Sequence, residues 1–225
     1  MILKGYSKAL YSNWYYYAPD RLLFDLGEGA GLFLRQEVFA VQKIFISHGH
    51  VDHFGGLLSF LCLRQGTKGD NEKALQIYYP AGDRSLEVMQ RSIREMLGHY
   101  IQYQLEWIPL NPGDRVPLQK GRFLQVHRAD HPADNPLIFV ICEERKKLKG
   151  HLHGRPGQEL AKLPAEEKFD YYTAKLFAYS GDSMPVNPEI YRGAAILLHE
   201  ATFLVAGDRR GLIHSTAQEV FDLAK

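Results

Sequence analysis

Ser47-His48-Gly49-His50-Val51-Asp52-His53 places three histidines and an aspartate within six residues, directly after the apolar run Ile44-Phe45-Ile46. That run is short, branched and aromatic, which reads as a buried strand. Gly49 breaks the strand pattern and Gly55-Gly56 follow, so the polar cluster is expected on a loop at the strand's end. In an extended loop, residues two apart point the same way. His48 and His50 can then reach one metal ion while Asp52 and His53 point towards a second. Imidazole with carboxylate suits zinc, and less specifically manganese or iron. The plain alternative, polar residues on a solvated loop, does not explain so many donors at one strand end.

The pattern His-x-His-x-Asp-His in this setting resembles the signature of the metallo-β-lactamase superfamily. The resemblance implies an α/β chain folded as a four-layer αββα sandwich, with a one- or two-metal hydrolytic site along one edge.

A chain of 225 residues suits one domain of ordinary size with a substantial core. An apolar fraction of 45% and a charged fraction of 24% are those of a globular protein. The net charge of +1 argues neither for nor against a nucleic-acid partner, so local patches must decide. Cys62 and Cys142 both sit in apolar settings and are expected as buried free thiols. No stretch approaches the ~18 consecutive apolar residues of a membrane span, and the N-terminus lacks a signal-peptide core. The expectation is a cytoplasmic protein with no membrane partner.

Residues 1–40 look β-rich, with an aromatic run from Tyr11 to Tyr17 and a strand at Leu22-Leu23-Phe24. Asp25 has two readings. It is either a plain turn residue beside Gly27 and Gly29, or an acceptor that orients a metal-bound histidine, as the superfamily often has at such a strand end. Helices are expected over Leu57–Arg64 and, amphipathic, over Ser85–Tyr100, with a polar break at Gly66–Asn71 between them and a strand at Leu75–Tyr79.

A narrower likeness, to the ribonuclease Z branch, comes from four places. Asp25-Leu26-Gly27-Glu28-Gly29 resembles that branch's Asp-x-Gly-Glu-Gly, although its usual Gly-Thr-Gly opening is missing. His131-Pro132, followed by the strand Leu137–Val140, fits its next ligand histidine better than His127 does. Beside these, Asp182, after the strand Phe177–Ser180, matches the carboxylate that bridges two ions in the wider superfamily. His199-Glu200-Ala201-Thr202-Phe203 and His214-Ser215-Thr216-Ala217 match two further motifs, the first after a strand over Ala194–Leu198 and the second opening a helix capped by Ser215 or Thr216.

The resemblance implies a zinc-dependent endoribonuclease that removes the 3′ trailer of precursor tRNA. Two ions about 3.5–4 Å apart would activate a water. The implied ligands are His48, His50, Asp52, His53, His131 and Asp182. The implied catalytic residues are Asp52, as proton acceptor, and His214, a general acid held by Glu200, because a carboxylate beside an imidazole keeps it protonated near neutrality. His199 is expected to be a packed strand-end residue.

Residues 143–168 are basic and irregular. They are either a solvated loop or a phosphate-binding segment, with Lys149 and Arg155 as the substrate-binding candidates. In ribonuclease Z a long arm that grips the tRNA elbow is inserted here, and no such arm is evident. The branch also has a later ligand histidine in a strand beyond the last helix. The chain stops at Lys225, so it is expected to be shorter than the gene product. A homodimer is implied by the family alone. Two other readings stand beside this one: a phosphodiesterase for small or cyclic nucleotides on the same site, and a catalytically silent RNA-binding member.

Overall fold

A computed structural model describes residues 3–66, 73–209, 211 and 213–223. The polar break expected at Gly66–Asn71 therefore falls, after Gly66, outside the described residues, as do Leu212 and Lys225.

The first sheet runs in the order β1 (Leu3–Lys8), β2 (Ser12–Tyr17), β3 (Leu22–Phe24), β4 (Lys43–Phe45), β5 (Leu75–Pro80) and β6 (Leu105–Leu110). Its first three strands are antiparallel and the rest parallel. The second sheet holds β7 (Arg115–Pro117), β8 (Arg122–Arg128), β9 (Leu137–Leu148), β10 (Phe169–Tyr179) and β11 (Leu197–Leu198).

Strand alternation sorts the apolar residues into layers. Leu22, Phe24, Phe45 and Tyr78 face inward and meet Leu124, Val126, Phe139, Ile141 and Phe177 of the second sheet. Their neighbours Leu23, Ile44, Ile77 and Tyr79 face outward, beneath α1 (Ala30–Leu34), α3 (Leu57–Gln65) and α4 (Arg84–Leu97). On the far side Phe123, Ile138, Val140 and Cys142 are covered by Val186, by Tyr191 of α7 (Pro188–Tyr191) and by Leu223 of α8 (Ala217–Leu223). Helix, sheet, sheet and helix make the αββα sandwich.

Four expectations need correction. Residues 30–39 are helical, because one face of Ala30, Gly31, Leu34 and Val38 is buried, a helical rather than an alternating spacing. The metal loop is not extended throughout but turns at Val51 into α2 (Val51–Phe54), with His50 as its extended cap residue. Ala194–Leu198 contributes only Leu197-Leu198 to the sheet, a short parallel edge. Cys62 is half-buried, and only Cys142 is fully enclosed.

The largest departure lies at 143–168. β9 continues to Leu148 and β10 begins at Phe169. Past Glu143, the last partner of β8, the two strands pair only with each other. Glu144–Leu148 against Phe169–Thr173 is a projecting ribbon, capped by α5 (Gly157–Lys162) and α6 (Ala165–Lys168). The 12 residues of β9 span roughly 36 Å at about 3.3 Å each. A short two-stranded projection therefore stands where the sequence reads as irregular. Its β9 half, Glu144–Lys147, is charged and exposed on both faces, and Asp170–Thr173 of its β10 half are also exposed, so no apolar alternation marks them as strands.

Candidate metal centre

Most polar residues of the site stand just past a strand. Asp25 follows β3, Ser47 to His53 follow β4, His131 follows β8, Asp182 follows β10 and Glu200 follows β11. The two sheets are tied at this edge where the Leu137 N–H donates to the Ser47 carbonyl at 2.9 Å. Gly181 permits the approach. Its φ is 58°, and a Cβ there would lie 2.8 Å from the Ser47 Cβ. Gly49 is pressed on the other side by the Asp83 carboxylate, leaving no room for a side chain.

Three ring nitrogens converge. His48 Nε2 and His50 Nδ1 are 3.0 Å apart, and His131 Nε2 lies 3.3 Å from the same His50 atom. His131 Nδ1–H donates to the Ile213 carbonyl at 3.0 Å, which directs the Nε2 lone pair at the cluster. Donor atoms of His48, His50, His131 and Asp182 all lie within 4.8 Å of one another. In a tetrahedral shell with bonds near 2.0–2.1 Å, adjacent ligands sit about 3.3 Å apart, so these rings fit a divalent ion. Burial, with the nearby His53, holds the His48 pKa well below the ordinary value, and burial lowers that of His131. Both rings are neutral, as ligands must be.

Beside them His53 Nε2 is 3.5 Å from Asp52 Oδ2 and 3.4 Å from Asp182 Oδ1, a second converging set. Asp25 props it from behind. This wholly buried carboxylate accepts from His53 Nδ1 at 2.7 Å, from the Ser47 N–H at 2.7 Å, from the Ser47 hydroxyl at 2.9 Å and from the Tyr179 hydroxyl. Its backbone is in the left-handed region at φ 55°, which places the carboxylate behind the His53 ring. Burial opposes a charge on His53, but the Asp25 charge and the Asp182 contact outweigh it and push its pKa up to about 10. Burial would raise the Asp182 pKa. The His53 contact prevails and holds it below the usual carboxylate range.

Glu200 and His214 form a pair at the mouth. Glu200 Oε1 accepts from His214 Nδ1 at 2.9 Å and from the Ser215 and Ser183 N–H groups, while Oε2 takes the Thr202 N–H and hydroxyl. The Glu200 bond raises the His214 pKa against partial burial. Thr216 and Glu219 form a reciprocal capping box at the start of α8, which fixes the segment carrying His214. His199 bonds only to backbone, at the Glu200 carbonyl and the Val186 N–H. His127 lies on β8 outside the cluster. Lys149 and Arg155 are at the far end of the ribbon, and Lys149 donates to the Glu166 carbonyl there.

A cleft of about 830 Å³ opens over these groups, lined by Asp52, Asp182 and His214 and also by Leu10, Tyr15 and Phe203. Tyr179, Ser47 and Asn13 also line or brace the site, and the sequence alone did not single them out. None belongs to a motif. Only their places at strand ends and in the β1–β2 ladder could have marked them.

The family model described as "Beta-lactamase superfamily domain" matches residues 21–225. The chain belongs to the beta-lactamase superfamily. Within the superfamily it is 28% identical over 242 residues to a protein named Ribonuclease Z from Methanosarcina mazei, covering 92% of this chain and 74% of that one. A shorter match joins it to Zinc phosphodiesterase ELAC protein 1 of Homo sapiens, 35% identical over 56% of this chain and 37% of the human one. Among solved structures, human tRNase Z, short form, superposes with a TM-score of 0.63 at 21% identity, covering 95% of this chain and 81% of that one. The metallo-beta-lactamase fold protein YhfI from Bacillus subtilis gives 0.65 at 19%, covering 96% and 74%. These likenesses establish the shared fold.

Proposed function

We propose that this chain is a divalent-metal-dependent phosphodiester hydrolase of the ribonuclease Z kind, acting on the 3′ trailer of precursor tRNA. The observation that carries the reading is the Glu200–His214 pair, set at the mouth of a cleft whose floor is the histidine and aspartate cluster. Similarity over 92% of the chain to a relative named Ribonuclease Z supports it.

The donor set of His48, His50, His131 and Asp182 fits zinc, and Asp52, His53 and Asp182 would hold a second ion; manganese or iron is also chemically suited. When bound, such ions supply Lewis-acid stabilisation of phosphoryl charge and lower the pKa of water. The chain's own groups supply the rest. Asp25 fixes the His53 ring, so its Nε2 faces Asp52 and Asp182. Asp52, 12% exposed at its side chain, takes the proton released by the attacking water. His214, held protonated by Glu200, gives its proton to the departing 3′ oxygen. The ribbon carries Lys149 and Arg155 to phosphates remote from the cut, a reach that suits an extended RNA better than a small diester. A homodimer and a cytoplasmic location are proposed from the family likeness. Among the described residues no helix is long and apolar enough to cross a membrane.

The test is cleavage of a 3′-extended precursor tRNA by the full-length protein, with and without a chelator, beside bis-para-nitrophenyl phosphate. Chelator-sensitive cutting after the discriminator base is expected. Turnover of the small diester alone would overturn the tRNA assignment in favour of a small-substrate phosphodiesterase. A protein with no activity and no bound metal would be a silent RNA-binding member.

A further inference from the structure

Gly49 stands between two of the converging histidines and has the widest conformational freedom of any residue type. Its backbone nevertheless sets the angle between His48 and His50, whose Nε2 and Nδ1 atoms are 3.0 Å apart. The Asp83 carboxylate supplies the restraint that a side chain would otherwise give. A Cβ on Gly49 would lie 2.1 Å from Asp83 Oδ1 and 2.4 Å from Oδ2, so the carboxylate fills the space of the missing side chain. Gly49 is not in the left-handed region, so its missing Cβ answers the carboxylate and not a backbone strain.

Asp83 is itself held in place. It is the N-cap of α4, where Oδ1 accepts from the Leu86 N–H at 3.1 Å. That helix runs for 14 residues, with Leu86 and Ile93 buried in the core. The N–H groups of Leu86, Gly49 and Ser85 all support the carboxylate's charge. Asp83 is 2% exposed and lies outside the group of His48, His50, His131 and Asp182 that could hold an ion. A serine would serve the cap equally well. The further reach of a carboxylate is what Gly49 uses.

We propose that Asp83 is a positioning residue for the metal centre: anchored on α4, its carboxylate locks the Gly49 backbone and so fixes the angle at which His48 and His50 meet one ion. This rests on the metal-centre reading above. Asp83 and Gly49 are a complementary pair, because the carboxylate fits only where the loop has no side chain.

The experiment uses the full-length protein, stripped of metal and titrated with Zn²⁺ and with Co²⁺, in wild type, Asp83→Ser, Gly49→Ala and the double variant. Zinc affinity comes from competition with a chromophoric chelator, the geometry of the centre from the visible spectrum of bound Co²⁺, and folding from urea unfolding of the metal-free protein. Asp83→Ser keeps the cap, so its urea midpoint should match wild type while zinc binds about 10–100-fold more weakly, with a changed Co²⁺ spectrum. Gly49→Ala collides with the carboxylate and should lose zinc affinity by at least as much. In the double variant the alanine methyl enters the space that serine vacates, so zinc should bind about tenfold more tightly than in Gly49→Ala, a coupling expected of residues in contact. General destabilisation cannot produce such a rescue. Zinc held as tightly by Asp83→Ser as by wild type overturns the proposal, as does a double variant no better than Gly49→Ala. A urea midpoint that falls in step with zinc affinity in Asp83→Ser also overturns it and reduces Asp83 to a helix cap. A wild type that binds no zinc would instead overturn the metal-centre reading.

Discussion

Replacing Asp25 by asparagine tests whether the buried acceptor behind His53 orients a ligand or only braces the fold. Asparagine is the right substitute, because it tolerates the positive φ of 55° and keeps the volume, whereas alanine would add backbone strain. The carboxylate meets four donors: the Ser47 N–H, the Ser47 hydroxyl, the His53 ring and the Tyr179 hydroxyl. An amide removes the charge and turns one acceptor into a donor, so one buried donor must go unpaired. An orphaned buried group costs about 1–3 kcal/mol, and the remaining bonds weaken from charged to neutral strength. The total is about 2–4 kcal/mol, or roughly 4–16 °C in Tm at about 2–4 °C per kcal/mol. Zinc affinity should fall about 10–100-fold, the usual loss when a ligand's support is removed. The pH dependence follows from the His53 pKa of about 10. A raised folded pKa stabilises fully below the unfolded value near 6.5 and loses that stability as pH climbs through 10. Urea unfolding of chelator-treated protein should therefore show the widest gap between wild type and variant near pH 6, narrowing towards pH 10. Chelator-competition titration of zinc completes the assay. A gap that widens with pH, or a zinc affinity unchanged within twofold, would refute the reasoning.

Other outcomes follow from the same geometry. His214→Ala should keep its metal while precursor tRNA cleavage falls by about 10²–10⁴-fold, the range for losing a general acid; loss of metal would make His214 a ligand instead. Glu200→Gln removes the carboxylate charge and weakens the bond that raises the His214 pKa, so the alkaline limb of the kcat profile should move to lower pH. A limb that stays in place would detach Glu200 from proton transfer. Lys149→Glu with Arg155→Glu should weaken precursor tRNA binding and flatten its salt dependence, by about one unit of slope for every phosphate the ribbon no longer neutralises. Turnover of bis-para-nitrophenyl phosphate should be unchanged, and equal losses on both substrates would refute a role for the ribbon in holding RNA.

The legible and illegible parts of this chain differ in one physical respect. Leu22-Leu23-Phe24, Ile44-Phe45-Ile46 and Leu137–Val140 are buried on both faces, so their strands print as unbroken apolar runs. The ribbon from Glu144 to Thr173 buries neither face, and its strands carry charges that read equally as loop. α1 is a single turn and a half, too short for a helical period to emerge, so its apolar residues read as strand. At the site the dense histidine cluster announced itself. Asp25 could not be decided from Asp-x-Gly-Glu-Gly, because the chemistry of a turn and that of a buried acceptor use the same residue.

The contributors to the site come from strands of both sheets, and that arrangement explains why order along the chain was informative where spacing was not. His48, His131 and Asp182 are separated by more than fifty residues at each step, so no local pattern links them. Each nonetheless follows a strand end on the same edge, where Leu137 and Gly181 press on Ser47. The floor beneath is an aromatic slab. Phe24 stacks on Phe45 and packs against Phe139, Phe177 and Tyr179, joining both sheets directly under the donors. Tyr179 ends that slab and donates to Asp25, so the packed core and the ligand support meet in one hydroxyl. Rings locked by close packing have few alternative rotamers. The second donor set is therefore held from below by the core, which is why a change there should register first as lost metal affinity.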